Sequence, residues 1–267
     1  MTSQAAIHRA YATAAGGQIH YRQAGPEGAR SPLLLIHPSP SSSFVWEPLM
    51  AEMGRDRLVI APDLPGHGMS DVPPDAPTIA EYAATLLALE AMLGLGLFDI
   101  MGYHTGGLIA AEMARQQAAV RKVVMVSALI FTDEERARLK AGAASRSVDD
   151  RAAVFGPQWL NFKNNFWRMG NDDTRTWNLY LEAQRNPHTS AWGQQAAAAY
   201  DLAAVLQGLP QPVLVLNPED DLRDRTSRVG PALKNGRVLD LPGWTHGFVD
   251  SKVPETAKIV RDLLAAP

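Results

Sequence analysis

The stretch Asp99 to Gly107, DIMGYHTGG, decides the fold of this chain of 267 residues. A strand, Phe98 to Met101, runs into a turn bracketed by Gly102 and Gly106, and an alanine-rich helix over Gly106 to Ala119 opens at once beyond it. A turn that tight needs glycine where backbone presses on strand and helix. It thrusts the central side chain out over the carboxyl edge of a sheet. That side chain is His104.

Working outward, short apolar runs alternate with longer helical patterns, the signature of a largely parallel sheet covered by helices. Ile7 to Ala14 and Gln18 to Gln23, parted by Gly16 and Gly17, read as a hairpin. Leu33 to Ile36 and Leu58 to Ala61 are continuous apolar runs suited to strands buried on both faces. Between Thr78 and Leu95, the residues Tyr82, Leu86, Leu89 and Leu93 recur at helical spacing along one side, and Gly94 and Gly96 end the helix. Lys122 to Val126, Pro212 to Leu216 and Arg237 to Leu241 read as further strands, and Pro254 sits in the first turn of a terminal helix. From about Phe131 to Leu209 the strand signals stop. This divides the chain into an α/β core over 1–130 and 210–267 and an inserted helical cap over 131–209.

Composition narrows the function classes. With 46% hydrophobic and 20% charged residues the chain is ordinary globular protein. A net charge of -3 supplies no basic field to gather nucleic acid or anionic lipid. The N-terminal residues lack a basic stretch followed by an apolar one, and no uninterrupted apolar run reaches membrane-spanning length. The absence of Cys excludes disulfides, thiolate nucleophiles and Cys-ligated zinc. The expectation is a soluble, cytoplasmic protein whose partners are a small-molecule substrate and, at most, a second copy in a homodimer, with no nucleic acid and no membrane.

Gly102, His104 and Gly106 have the spacing of the G-x-S-x-G nucleophile elbow, with histidine in place of serine. Other segments fall into the order of the same family. LLLIHPSPSSSFVW (Leu33 to Trp46) is similar to its strand and His-Gly-x-Pro oxyanion loop, with Pro38 in place of the glycine, and APDLPGHGMSDVP (Ala61 to Pro73) resembles its Asp-x-Pro-Gly-x-Gly-x-Ser loop. PVLVLNPEDD (Pro212 to Asp221) resembles the strand and turn carrying the acid, and LPGWTHGF (Leu241 to Phe248) the loop carrying the base. On these motifs, which run from Ile7 to Ala265, the chain resembles the α/β-hydrolase fold superfamily.

The resemblance implies a mostly parallel central sheet flanked by helices, a cap, no cofactor and a catalytic set of His104, Asp221 and His246. Asp220 could take the acid role if the turn is shifted by one. It further implies an oxyanion hole from the backbone N–H groups of Ser39 and Thr105. Losing one such donor typically costs about 2.7–4 kcal/mol in barrier. A cap closing over the elbow implies that Tyr103, Trp159, Phe166 and Trp167 contact substrate, with a preference for apolar or aromatic ligands.

Imidazole cannot form a serine ester, so His104 requires its own chemistry. At a helix N-terminus the dipole disfavours imidazolium, and a neutral imidazole can attack an ester, thioester or lactone to give a labile acyl-imidazole. Alternatively His104 and His246 position and deprotonate water. Three other readings stand beside hydrolysis. One is a cofactor-free lyase in which His246 and Asp221 remove a substrate proton. Another is a non-catalytic binding protein. The third, a metal held by His104, His246 and Asp221, is disfavoured because the aspartate occupies one nitrogen of His246. Bland readings suit His37 as a structural histidine and His67 as a surface or loop-packing one. Gly66, Gly68, Pro65 and Asp63 read as loop architecture, and His8, His20 and His188 carry no arrangement. Ser39, Ser41, Ser42 and Ser43 read as hydrogen-bonding loop residues unless geometry brings one within reach of His246.

Overall fold

The computed structural model describes residues 4–14, 17–28, 30–142, 147–166 and 172–266. The strands are β1 Ile7–Ala14, β2 Gly17–Ala24, β3 Leu33–Ile36, β4 Val59–Pro62, β5 Phe98–Tyr103, β6 Val120–Val126, β7 Val213–Pro218 and β8 Gly236–Leu241. Helices of the first half are α1 Glu47–Met53, α2 Ile79–Leu93 and α3 Thr105–Gln116. Between β6 and β7 come α4 Asp133–Gly142, α5 Val148–Asn161, α6 Asp173–Gln184, α7 Trp192–Ala199 and α8 Leu202–Gly208. The chain ends with α9 Arg223–Ser227, α10 Phe248–Ser251 and α11 Val253–Ala265.

The strands form one sheet in the order β1-β2-β4-β3-β5-β6-β7-β8. β1, β2 and β4 pair antiparallel, and every pairing from β4 through β3, β5, β6 and β7 to β8 is parallel. Side chains alternate across the strands. Leu34, Ile36, Ile100, Val123, Met125, Val213 and Val215 enter the core on the side of α2, α3 and α8. Leu33, Leu35, Met101, Val124, Val126, Leu214 and Leu216 enter the core on the side of α1, α10 and α11. A strand packed on both faces must be apolar at every position, which is why these runs show no polar alternation.

The spacing-predicted face of α2 is buried through Tyr82, Leu86 and Leu89, with Leu93 packed partly against the same core. Thr78 caps this helix reciprocally with Glu81, and Gly94 closes it with φ +65°. α3 stops at Gln116, short of the expected Ala119, because Gln117 is extended (φ −135°), and β6 accordingly begins at Val120. β4 is displaced by one residue to Val59–Pro62. Among the helices between β6 and β7, α8 lies against α3 with Leu202 and Leu206 buried in the core. No helix among the described residues is long and apolar enough to cross a membrane.

Candidate active site

The carboxyl ends of β3, β5, β6 and β7 and the loop after β8 converge on one site. His104 follows β5 with φ +49° and ψ −114°, a conformation that an L-residue adopts only when its surroundings impose it. Its N–H donates to Val126 O at 2.9 Å, and its carbonyl accepts from Gly107 N at 2.8 Å. The flanking glycines permit the turn. A Cβ on Gly102 would lie 2.1 Å from Gly106 O, and one on Gly106 would lie 2.3 Å from Ile36 O. At the end of β6, Ser127 is the other described non-glycine residue at positive φ, +56°.

Two His–Asp pairs stand side by side. His104 Nε2 lies 3.2 Å from Asp220 Oδ2, and His246 Nε2 lies 2.6 Å from Asp221 Oδ1. The two imidazoles meet edge to face with ring centres 5.2 Å apart. Asp220 has no exposed side-chain surface. It also accepts from Ser127 Oγ and, at 2.8 Å, from Leu222 N. The side chain of Asp221 is 56% exposed. Burial opposes ionisation of both carboxyls. Hydrogen bonds from His104 and Ser127 to Asp220, and from His246 to Asp221, outweigh it and hold both below the ordinary aspartate value.

Hydrogen bonding sets the tautomers. Burial, reinforced by Asp220 and Asp221, pushes the Tyr103 phenol well above its usual value, so it remains a donor. Its hydroxyl lies 3.3 Å from His246 Nδ1, which therefore accepts and leaves the proton on Nε2 toward Asp221. His104 likewise directs Nε2–H to Asp220. Its Nδ1 then carries a lone pair, and no hydrogen bond to that atom is recorded among the described residues.

A cavity of about 490 Å³ opens over the pair. Its floor includes Tyr103, His104, Asp221 and His246, one wall is Pro38 to Ser41, and the roof comes from α5, α6 and Phe162. Tyr103 and Tyr180 supply aromatic faces, while Gln158, Asn161, Gln184, Gln194 and Arg151 make much of the remaining lining polar. Trp159 is not in this lining. It packs edge to face on Trp177 at 4.8 Å and against Tyr180 at 5.6 Å, within the roof helices. Phe166 closes the π-helical turn Phe162–Phe166, its side chain outside the described set, and Trp167 lies outside the described residues.

The loop after β3 is built by hydrogen bonds. His37 is fully buried, with Nδ1 2.8 Å from Pro38 O and Nε2 accepting from Leu64 N at 2.9 Å. Burial lowers its pKa, consistent with a neutral structural ring. Asp63 accepts from Ser43 N and Met69 N and pairs with His20, while Ser42 accepts from Phe44 N. His67, expected as a surface or loop-packing residue, is 3% exposed and packs on Tyr82. Ser39 Oγ lies 2.7 Å from His67 Nε2. Ser39 and Thr105, whose N–H groups were expected to form an oxyanion hole, border the cavity and open α3 respectively. Helix-opening N–H groups lack intrahelical acceptors.

Ligand atoms of His104, His246 and Asp220, rather than Asp221, lie within 4.8 Å of one another and make the set best placed to hold a metal ion. Asp220 and His246 already spend their polar atoms on Ser127, Leu222, His104, Asp221 and Tyr103, so the cluster closes on itself. Sequence reasoning missed the Asp220–His104 pair, the Tyr103 donor, Ser127 and the Ser39–His67 contact. The adjacency of Asp220 to Asp221 was the one available signal.

Comparison with known proteins agrees with this architecture. The family model described as alpha/beta hydrolase fold matches residues 31–252. The chain is 28% identical to a non-heme chloroperoxidase from Burkholderia pyrrocinia, over 87% of this chain and 90% of that one. The enol-lactonase from Burkholderia xenovorans superposes with a TM-score of 0.81 at 21% identity, covering 96% of this chain and all of that one. An esterase from Exiguobacterium antarcticum does so at 0.83 and 15% identity, covering 97% and 100%. Because that family model spans residues 31–252, most of the chain, the chain belongs to the alpha/beta hydrolase fold family.

Proposed function

We propose that this enzyme is a cofactor-independent hydrolase of small acyl substrates with apolar or aromatic groups, such as esters, thioesters or lactones, and that His104 acts directly on the acyl carbon. The observation that carries this reading is the orientation of the elbow imidazole, with Nε2–H committed to buried Asp220 and the Nδ1 lone pair left over on a ring that lines the cavity. Nδ1 attacks the carbonyl carbon and the leaving group departs as an alkoxide, phenoxide or thiolate, which takes up a proton released by the water of the next step. The resulting acyl-imidazolium keeps its Nε2 proton against Asp220, whose charge offsets the new positive charge. Water then adds to the acyl carbon, its proton passing toward the His246–Asp221 pair, and the acid leaves. The backbone N–H groups of Ser39 and Thr105 receive the oxyanion in both halves. Relatives named as esterase and enol-lactonase are consistent with this substrate class.

The test compares wild type with His104→Ala and His104→Ser on short-chain aryl esters, with mass spectrometry for an acyl adduct. Turnover by wild type, a transient adduct at His104 and loss of activity in His104→Ala support the reading. An inert wild type together with an esterase-active His104→Ser overturns it and turns the search to proton abstraction by His246 and Asp221 in a lyase.

A further inference from the structure

The cavity contains a hydroxyl–imidazole pair that the hydrolase reading does not use. Ser39 Oγ lies 2.7 Å from His67 Nε2, and Ser39 is half-buried in the cavity wall while His67 is enclosed behind it. The tautomer is set from the other side of the ring. His67 Nδ1 lies 3.1 Å from Pro65 O, a group that can only accept, so Nδ1 carries the proton and Nε2 must accept from Ser39 O–H. The pair has room because of a glycine on α7. A Cβ on Gly193 would lie 2.4 Å from Ser39 Oγ.

We propose that Ser39 is a second nucleophile of this cavity, with His67 as its base, and that it accepts acyl, sulfonyl or phosphonyl groups from electrophiles bearing a good leaving group. The proposal rests on the hydrolase reading only for its choice of acyl electrophiles. In the step, Ser39 Oγ bonds to the electrophilic carbon, sulfur or phosphorus as its O–H proton moves to His67 Nε2. The leaving group then departs and takes up that proton, so the products are the substituted serine and a phenol, alcohol or hydrogen fluoride.

The surroundings of His67 define which electrophiles qualify. Burial, with His37 adding to it through rings 5.7 Å apart, pushes the His67 pKa down to about 4, while Asp63 opposes the shift. The ring is therefore a neutral acceptor at physiological pH. Holding the transferred proton is costly, so the pair suits aryl esters and sulfonyl or phosphonyl fluorides rather than amides.

The full chain is treated with phenylmethanesulfonyl fluoride and an aryl fluorophosphonate, and the modified peptide is mapped. The expected result is an adduct at Ser39 in wild type and in His104→Ala, none in Ser39→Ala, and unchanged labelling in Ser227→Ala, on α9 outside the cavity lining. His67→Gln slows labelling on the order of 10²-fold, the usual contribution of a positioned base. Ser39→Cys provides a second readout because the chain has no other cysteine. Its alkylation by iodoacetamide should slow when His67→Gln is added. An adduct confined to His104, or no adduct at Ser39, overturns the proposal. In that case ester turnover that survives Ser39→Ala and is lost in His104→Ala leaves the hydrolase reading standing.

Discussion

Asp220, its side chain wholly buried, reaches His104 at 3.2 Å, whereas Asp221, the next residue along the chain, turns to His246 at 2.6 Å with more than half of its side chain in solvent. Adjacent carboxylates thus serve adjacent imidazoles from unequal environments. The buried one has its remaining acceptor capacity filled by Ser127 and Leu222 and is the better fixed of the two.

This inequality predicts unequal losses on neutralisation. Asp220→Asn should lower kcat on an aryl ester by roughly 10²–10⁴-fold, the range of a disabled acid–base group. Asp221→Asn should cost less than about tenfold, since solvent already screens that pair. Steady-state kinetics on both variants checks this. The reverse order would move the essential dyad to His246 and Asp221.

The elbow glycines are not equivalent. Ala at Gly102 or Gly106 would put Cβ within 2.1–2.3 Å of backbone oxygen, which cannot yield as a side chain does. Each should destabilise by about 1–3 kcal/mol or more. Ala at Gly107 meets the flexible end of Met125 at 3.3 Å and Gly102 O at an ordinary 3.5 Å, and gains helix propensity of roughly 1 kcal/mol. Gly107→Ala should therefore be close to neutral, and urea titration of the three variants decides it.

Arg175 fastens α6, which carries cavity residues Leu179, Tyr180, Ala183 and Gln184, to α1, α10 and the turn before α1. Its guanidinium bonds Asp250 at 3.1 Å, Glu47 at 3.3 Å and Phe44 O at 2.9 Å, and lies 4.0 Å over the Phe44 ring. Arg175→Ala should lower stability by about 2 kcal/mol, a typical figure for hydrogen bonds to a charged group. It should also raise KM more than it lowers kcat, because the cavity wall loosens while the His–Asp pairs stay. Thermal melts with a KM and kcat determination test both parts, and an unchanged KM would show that α6 docks without this contact.

Acid should weaken the fold through Glu112. Burial opposes its ionisation, but hydrogen bonds from Arg115, Gln116 and Tyr200 hold its pKa at about 2 against an ordinary 4.5. A carboxyl depressed in the folded state adds stability that is fully present above pH 4.5 and is lost as pH falls toward about 2. The difference in unfolding free energy between wild type and Glu112→Gln should shrink over that window. Denaturant titrations from neutral pH downward measure it, and a constant difference would remove Glu112 from the account of acid lability.

Much of this was legible in residue order. Leu33 to Ile36, Val123 to Val126 and Val213 to Leu216 are apolar without interruption because both faces are covered, and Gly102 and Gly106 mark where backbones touch. These are local properties, so the strands, the elbow and its presentation of His104 follow from sequence alone. Element ends were less legible, as at Gln117, where one extended residue ends α3 early.

Which partners meet at the site was decided by tertiary structure. Asp220 and Asp221 are chemically identical neighbours, and successive side chains in a turn diverge, so which one reaches His104 depends on how β6 and β7 set Ser127 against that turn. Tyr103 and His246 are far apart in the chain yet share a hydrogen bond, and Ser39 finds His67 across two loops brought together after β3 and β4. Sequence determined which groups were available at the carboxyl edge, because backbone geometry is encoded locally. Their pairing and tautomers, and hence where a reactive lone pair remains, came from packing, because a hydrogen bond depends on distances that only the folded chain sets.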